Sequence, residues 1–506
     1  MSFLDNLKEE ASFTETLNGA KTHSTSGDAC LDLFAVAGGM RHRSYRDQIH
    51  LFDRAYIENP ELAMKLLFYI RDIREGLGER ELFRNLIRHT AKTWPESARK
   101  NISLISEYGR FDDLMCLMGT PSEEAVVELI RTQLNQDCEA LKKRKAGNIN
   151  AHISLLAKWL PSINTSSART RGQAKVLASA LEMNAGQYRK LLSALRANIA
   201  LPERYLTSKK RGKINYEAVP SRANLIYNDA FLRNDEERRR EYLGSLEKGE
   251  SKINASVLFP HDIVYKYGCR FSTRTKDDTL EALWKALPDL VNGDSSTLVV
   301  RDGSGSMTWD NLGGGVKPLD VATALAIYFA ERSCGEFKDK YITFSSRPGL
   351  VDMANLNTLR DKLMRSYREA DCSNTNIEAT FNLILNTAIK GHMKQEEMPK
   401  NILIMSDMEF DIATTGKVNQ TLFDSISEKF EEHGYKIPRL VFWNVASRTG
   451  TIPVKQNKLG VALVSGFSPN IVKMVLSGEL DPYKCLTDQL DSERYAPVEA
   501  AVKDLL

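Results

Sequence analysis

The hydrophobic pattern changes its period near residue 295, and this change constrains the fold more than any other feature of the sequence. Before it, apolar residues recur at helical spacing, as at Leu62, Leu66 and Ile70, which indicates amphipathic helices. After it, short apolar runs of strand length alternate with helical segments, a pattern typical of a parallel sheet with helices on both faces. A chain of 506 residues is also too long for one ordinary core. We therefore expect an α + α/β protein with two different halves.

Residues 1–290 are predicted to form the all-helical half. Breaks at Gly76-Leu77-Gly78, Gly109 and Pro161 separate short helices, as glycine and proline do. Many short helices joined by short loops are typical of a solenoid of stacked helix pairs, although no clean fixed-period repeat is present.

Residues 295–480 are predicted to form a doubly wound parallel sheet of the Rossmann-like kind. The alternation of strand and helix carries this prediction. A further helix is expected over residues 481–506. The predicted strands are 297–300, 341–344, 401–405, 439–443 and 460–464, and the predicted helices are 319–333, 376–390, 421–433 and 469–477.

Three polar clusters lie at loops of the predicted sheet edge where ligands bind in open α/β folds. Asp302-Gly303-Ser304-Gly305-Ser306 follows the first strand, Ser406-Asp407-Met408-Glu409 follows the strand over 401–405, and Ser373-Asn374-Thr375-Asn376 precedes a helix. Carboxylate and hydroxyl oxygens are the ligands that a hard cation such as Mg²⁺ prefers. The sequence therefore predicts a cation site at this edge.

The DxSxS spacing after a first strand, with a later Thr and a later Asp, resembles the von Willebrand factor A (vWA) domain over roughly residues 295–480. The resemblance implies a metal-ion-dependent adhesion site that holds Mg²⁺, or Mn²⁺ or Ca²⁺, with the sixth position left for a carboxylate of an acidic protein partner. Ser304 and Ser306 would bind the ion directly, Asp302 and Asp407 mostly through water, and Thr375 either way.

Plainer interpretations of these residues stay open. The DGSGS segment could be a simple turn with Ser306 as a helix cap. Asp407, after the strand over 401–405, could be only an N-cap or turn residue. Thr375 with Glu378 has the T-x-x-E spacing of a capping box;. Glu409 and Asp411 add carboxylates of the kind that a two-metal phosphodiesterase clusters.

The charge of the helical half is concentrated in one stretch. Residues 141–230 hold 17 basic and 4 acidic groups, a net charge of +13, which favours a polyanionic partner such as RNA. Aromatic residues interleaved with these charges either stack on unpaired bases or belong to the core; they are Trp159, Tyr188, Tyr205 and Tyr216. The predicted phosphate contacts are Lys142, Lys143, Arg144, Lys145, Arg169, Arg171, Lys209, Lys210, Arg211 and Lys213.

A helical half followed by a vWA half is similar to the TROVE–vWA architecture of the Ro autoantigen family, with RDIREGLGERELFR (71–84) resembling its helical module. That resemblance implies HEAT-like repeats that bind RNA, either structured or through single-stranded ends. LLAKWLPSINTSSARTR (155–171), VPSRANLIYNDAF (219–231) and INASVLFPHDIV (253–264) resemble more closely an uncharacterised family that joins a similar helical half to a similar vWA half.

The function predicted from these features is a non-enzymatic RNA-binding ribonucleoprotein scaffold with a Mg²⁺-bearing vWA domain. No HExxH, GxSxG or P-loop motif occurs, so no catalytic residue is predicted. One alternative is a metal-dependent adaptor that docks proteins, for instance with an AAA+ ATPase, and a less favoured one is a metal-dependent nuclease. Seven cysteines without a CxxC pair and the absence of an apolar run of ~18 residues predict a cytoplasmic protein without membrane contact.

Overall fold

The computed structural model describes most of the chain. The described residues are 11–41, 43–148, 150–199, 201–268, 275–291, 296–308, 312, 315–344, 347–369, 376–410, 422–454, 460–471 and 481–503. Thr375 and Asp411, and most of the helix predicted over 469–477, lie outside these ranges.

The first half is helical, as predicted, apart from an antiparallel hairpin of β1 (Phe13–Glu15) and β2 (Lys21–His23). No described helix is both long enough and apolar enough to span a membrane. The helices are α1 (Ala29–Ala37), α2 (Tyr45–Glu58), α3 (Pro60–Arg71), α4 (Arg80–Thr93), α5 (Pro95–Asn101), α6 (Ile105–Tyr108), α7 (Glu123–Lys145), α8 (Leu156–Trp159), α9 (Ala168–Ala180), α10 (Ala185–Ala197), α11 (Pro202–Thr207), α12 (Ser221–Asn234), α13 (Glu236–Glu247), α14 (Pro260–Gly268) and α15 (Asp278–Lys285).

The second half is a six-stranded sheet in the order β5-β4-β3-β6-β7-β8. All neighbouring strands are parallel except β5, which pairs antiparallel with β4 at the edge. The strands are β3 (Thr297–Asp302), β4 (Lys340–Phe344), β5 (Gly349–Asp352), β6 (Asn401–Ser406), β7 (Arg439–Asn444) and β8 (Val461–Ser465). The helices are α16 (Pro318–Arg332), α17 (Leu359–Arg368), α18 (Ile377–Lys390) and α19 (Leu422–Glu432).

The five predicted strands are confirmed, because each overlaps an observed strand of the sheet. Strands β3, β6 and β8 are buried along their whole length, as strands of a sheet covered on both faces are. Strand β5 was not predicted. It is four residues long, and its residues alternate between buried and exposed at the sheet edge, so it carries no continuous apolar signal.

The two halves share one continuous hydrophobic core. Helix α1 packs on the edge strand β8, where the Ser465 hydroxyl donates a 2.9 Å hydrogen bond to the Phe34 carbonyl. The segment predicted as one C-terminal helix forms two, α20 (Pro482–Leu490) and α21 (Ala496–Val502), each beginning at a proline-containing first turn;. Both pack on α3, where the buried Lys65 amine pairs with Asp491 and Glu499 at 3.0 and 2.7 Å.

Candidate functional site

The two acidic loops predicted to bind a cation meet at the carboxyl edge of the sheet. Strands β3 and β6 are adjacent and parallel, so Asp302 at the end of one lies beside Ser406 at the end of the other. The Ser406 hydroxyl donates a 2.6 Å hydrogen bond to Oδ2 of Asp302, and the Ser304 amide donates to Oδ1 at 2.8 Å. Asp302 is therefore held by both loops.

Four of the five predicted ligands form a continuous arc of oxygens. The hydroxyls of Ser304 and Ser306 lie 3.0 Å apart, and the Ser306 hydroxyl is near enough to the Asp407 carboxylate to lower its pKa. Asp302, Ser304 and Asp407 are buried, whereas Ser306 is partly exposed, so the arc is open to solvent on the Ser306 side. The fifth predicted ligand, Thr375, lies outside the described residues.

The electrostatics of this arc favour a cation. Burial, together with the smaller effect of the Asp407 charge, raises the pKa of Asp302 to about 7. Burial also raises the pKa of Asp407, although the hydrogen bond from Ser306 opposes this. Among the described residues Oδ2 of Asp407 accepts no hydrogen bond, and its nearest cationic neighbour is the Arg448 guanidinium at 3.7 Å. Two repelling buried carboxylates beside two hydroxyls are a donor set that fits Mg²⁺.

Arg301 interrupts the apolar strand just before Asp302, and the structure shows how the fold accommodates it. Its guanidinium is fully buried, donates to the Thr323 hydroxyl at 3.1 Å and to the Ser366 carbonyl at 3.4 Å, and lies 5.5 Å from the Tyr341 ring centre. Because neighbouring side chains of a strand point to opposite faces, this arginine contacts α16 and α17 rather than the acidic arc.

Glu409 is held by the N-terminal segment of the chain. Its two carboxylate oxygens accept hydrogen bonds from the Leu17 amide at 2.7 Å and from the Thr449 hydroxyl at 2.6 Å. Thr16 donates to the Phe410 carbonyl at 2.7 Å. The segment before β2 thus lies against the loop after β6, and the sequence carried no local signal for this contact because the partners are about 390 residues apart.

The alternative in which Thr375 and Glu378 form a capping box involves Thr375, which lies outside the described residues. Asn376 caps α18 by accepting a 2.8 Å hydrogen bond from the Ala379 amide. The Glu378 carboxylate pairs with the Lys429 amine of α19.

The predicted basic residues 142–171 gather at one end of the α7–α10 helices. Arg144 in the last turn of α7 donates to the carbonyls of Asn198 and Ala151, each at 2.6 Å, so the C-terminal ends of α7 and α10 meet. Arg196 in the last turn of α10 donates to the Ser162 hydroxyl at 2.7 Å. This contact brings the segment leading into α9 to the same end.

The structure divides the predicted phosphate contacts into two groups. Arg144 and Arg171 use their guanidinium groups on backbone carbonyls, Lys142 pairs with Glu139 at 2.7 Å, and Arg211 is only partly exposed. The other six are exposed and form no ion pair with a described residue. We call these six residues together the basic end, after the three of them that belong to the 142–171 region described above; they are Lys143, Lys145, Arg169, Lys209, Lys210 and Lys213.

The interleaved aromatic residues belong to the packing of the helical half. Tyr188 is buried and donates to the Pro161 carbonyl at 3.0 Å. Tyr216 stacks on Tyr242 in a small second core, against which Tyr205 packs. The Trp159 ring lies 4.0 Å from the Arg110 guanidinium. Their faces are therefore engaged by the protein itself.

A helical half joined to a parallel-sheet half with an acidic, hydroxyl-lined edge defines the class of this chain. The family model described as domain of unknown function DUF2828 matches residues 16–118 and 124–298, more than half of the chain, and the chain belongs to that family. A second model, domain of unknown function DUF7788, matches residues 296–501.

Two individual proteins are similar over most of the chain. The uncharacterized protein L728 of Acanthamoeba polyphaga mimivirus is 29% identical over an alignment that covers 96% of this chain and 88% of the relative. The crystal structure of the Deinococcus radiodurans RO (RSR) protein covers 93% of this chain and 94% of that one, with 12% identity and a TM-score of 0.40.

Proposed function

We propose that this protein is a non-enzymatic, cytoplasmic RNA-binding scaffold whose sheet half carries a divalent cation. The observation that supports RNA binding is the basic end. Its six exposed cations have no ion-pair partner among the described residues, and unpaired positive charge of this kind favours a polyanionic ligand. Phosphate contacts of this kind supply sequence-independent affinity that falls with salt.

In this proposal Asp302, Ser304, Ser306 and Asp407 would hold Mg²⁺, and Thr375 is the remaining candidate ligand. The bound ion would supply an electrophilic centre that takes up a carboxylate on the open, Ser306 side. The fully buried carboxylates of Asp302 and Asp407 support this part, because buried charges are normally paired or bound to a metal.

The double variant Lys143→Glu/Lys145→Glu tests the RNA part. We expect its affinity for a structured RNA to fall at least tenfold at low salt, and the slope of log affinity against log salt to become shallower by about two contacts. Both lysines are exposed, so the fold should be unchanged. The matched control is Lys92→Glu, at an exposed lysine of α4.

A result in which the double variant and the control bind RNA equally would remove the basic end from the proposal. If the wild-type protein binds no RNA at low salt, RNA binding itself is wrong. The metal-dependent adaptor, which the open side of the acidic arc favours, would then be the better description, with an acidic protein as its partner.

A further inference from the structure

A polar groove beside the basic end has no role in the function proposed so far. It has a volume of about 710 Å³, within the roughly 300–1,000 Å³ of ligand sites, and lies between the last turns of α7 and the residues Asn148, Ala151 and His152. Its lining is Asn135, Gln136, Cys138, Glu139, Ala140, Lys142, Lys143, Asn148, Ala151 and His152. We propose that this groove binds an unpaired guanine base of the RNA, an inference that rests on the proposed function.

One side of the groove is α7, and the other side, which contains Asn148 and Ala151, is held in place by hydrogen bonds. The Asn148 amide donates to the Lys143 carbonyl at 3.0 Å, and Arg144 donates to the Ala151 carbonyl at 2.6 Å. Two residues further on, Ser154 donates through its amide and its hydroxyl to the buried Asp137 carboxylate at 2.8 and 2.7 Å. Asn148, Ala151 and Ser154 are therefore held against α7 whether or not a ligand is present.

The lining residues favour a polar ligand that carries both hydrogen-bond donors and hydrogen-bond acceptors. Asn135, Gln136 and His152 are exposed, and their side chains form no hydrogen bond with a described residue. No large apolar side chain lines the groove, so an apolar ligand would gain little there. Glu139 also lies inside it, which disfavours a bare phosphate and requires a ligand that offers hydrogen-bond donors.

Glu139 and Lys142 present an acceptor and a donor side by side, with the carboxylate and amine 2.7 Å apart. Guanine is the base whose Watson–Crick edge offers two adjacent N–H donors, at N1 and N2, next to the O6 acceptor. The N1 and N2 donors would bond to the Glu139 carboxylate, and O6 would accept a hydrogen bond from the Lys142 amine. Lys143 and Lys145 follow Lys142 in the chain and would contact the flanking phosphates. Reading an unpaired base by its edge is the usual way in which proteins recognise single-stranded RNA.

The test compares three single-stranded oligouridine probes that carry guanosine, inosine or adenosine at one central position. Inosine lacks only the N2 amino group. For the wild-type protein we expect binding of the guanosine probe about tenfold tighter than that of the inosine probe. Glu139→Gln should lose this preference without losing overall affinity, because it removes a negative charge near the phosphates. Glu128→Gln, at an exposed ion-paired position of the same helix, should keep it.

Equal binding of the three probes by the wild-type protein would overturn the guanine site and leave RNA binding intact. A preference that survives in Glu139→Gln would also overturn it, since the base would then be read elsewhere. If no probe binds at low salt although a structured RNA does, this inference is wrong and the proposed function stands; if neither binds, both are wrong.

Discussion

The hydroxyl of Ser406 donates a 2.6 Å hydrogen bond to the carboxylate of Asp302, joining the ends of two parallel strands whose residues are 104 positions apart. The same hydroxyl accepts a hydrogen bond from the Met408 amide at 3.0 Å. Ser406 therefore orients a carboxylate of the acidic arc and the loop that carries Asp407, although no resemblance assigned it a role.

Ser406→Ala should weaken divalent-cation binding by about tenfold, because a group that orients a ligand is typically worth 10- to 100-fold in metal affinity. The measurement is the rise in melting temperature with Mg²⁺, titrated to saturation. Ser465→Ala is the matched control. The buried Ser465 hydroxyl makes two hydrogen bonds, as the Ser406 hydroxyl does, but both are to backbone groups. Its loss should therefore lower stability without changing the Mg²⁺ concentration that gives half of the maximal rise in melting temperature. Equal midpoints in both variants would remove Ser406 from the site.

Asp302→Asn should distinguish the effect of the buried carboxylates on stability from their role in binding the cation. In the presence of a chelator the variant should melt at or above the wild-type temperature, because one of two mutually repelling buried charges is gone. Mg²⁺ at a hundredfold excess over Kd should stabilise the wild type by about 2.7 kcal/mol. The variant should show no such stabilisation. Asp488→Asn, at an exposed position, should behave as the wild type. A variant that still gains stability with Mg²⁺ would place the ion elsewhere.

The five strands and the two acidic loops could be predicted because their signals are local: each buried strand is a continuous apolar run, and DxSxS lies within five residues. The contacts that complete the site could not. Arg448 reaches Asp407 from about 40 residues away, and Leu17 reaches Glu409 across almost the whole chain. Such pairings depend on how segments distant along the chain pack together, which one sequence does not encode in any short pattern.

The same limit applies to the basic surface. The charge count predicted a cationic region, and the structure leaves six of the ten predicted residues exposed without an ion pair among the described residues. The charge count could not predict that Arg144 and Arg171 would donate hydrogen bonds to backbone carbonyls. An arginine that donates to carbonyls near a helix terminus and an arginine that contacts a phosphate have the same sequence signature. Lysine cannot donate to several carbonyls in one plane, and the exposed lysines are accordingly the better candidates.

His261 should make stability depend on pH below neutrality. It is buried at the contact between the halves, with its ring centre 4.9 Å from that of Phe467, and Asp262, Arg41 and Arg222 are its charged neighbours. Burial lowers its pKa from 6.5 to about 4. The unfolded chain thus binds a proton that the folded one does not, so stability is complete above pH 6.5 and is lost as the pH falls towards 4.

Between pH 7 and pH 5 this histidine should cost about 2 kcal/mol of unfolding free energy, measured by urea denaturation at each pH. His261→Gln should flatten the pH dependence by that amount, even if it is less stable at pH 7. His50→Gln, at an exposed histidine, should leave the dependence unchanged. Parallel curves for the wild type and His261→Gln would contradict the assignment.

The contact between helix α1 and strand β8 depends on two glycines that bring backbone against backbone. A Cβ placed on Gly38 would lie 2.2 Å from the Cα of Gly466, a separation that cannot be relieved by turning a side chain. Gly38→Ala should therefore lower the free energy of unfolding by about 3 kcal/mol or more. Gly172→Ala is the control, since a Cβ there meets nothing within 4 Å and alanine within α9 should add about 0.5–1 kcal/mol. Opposite signs in urea denaturation are expected, and a neutral Gly38→Ala would mean that α1 does not rest on β8 in solution.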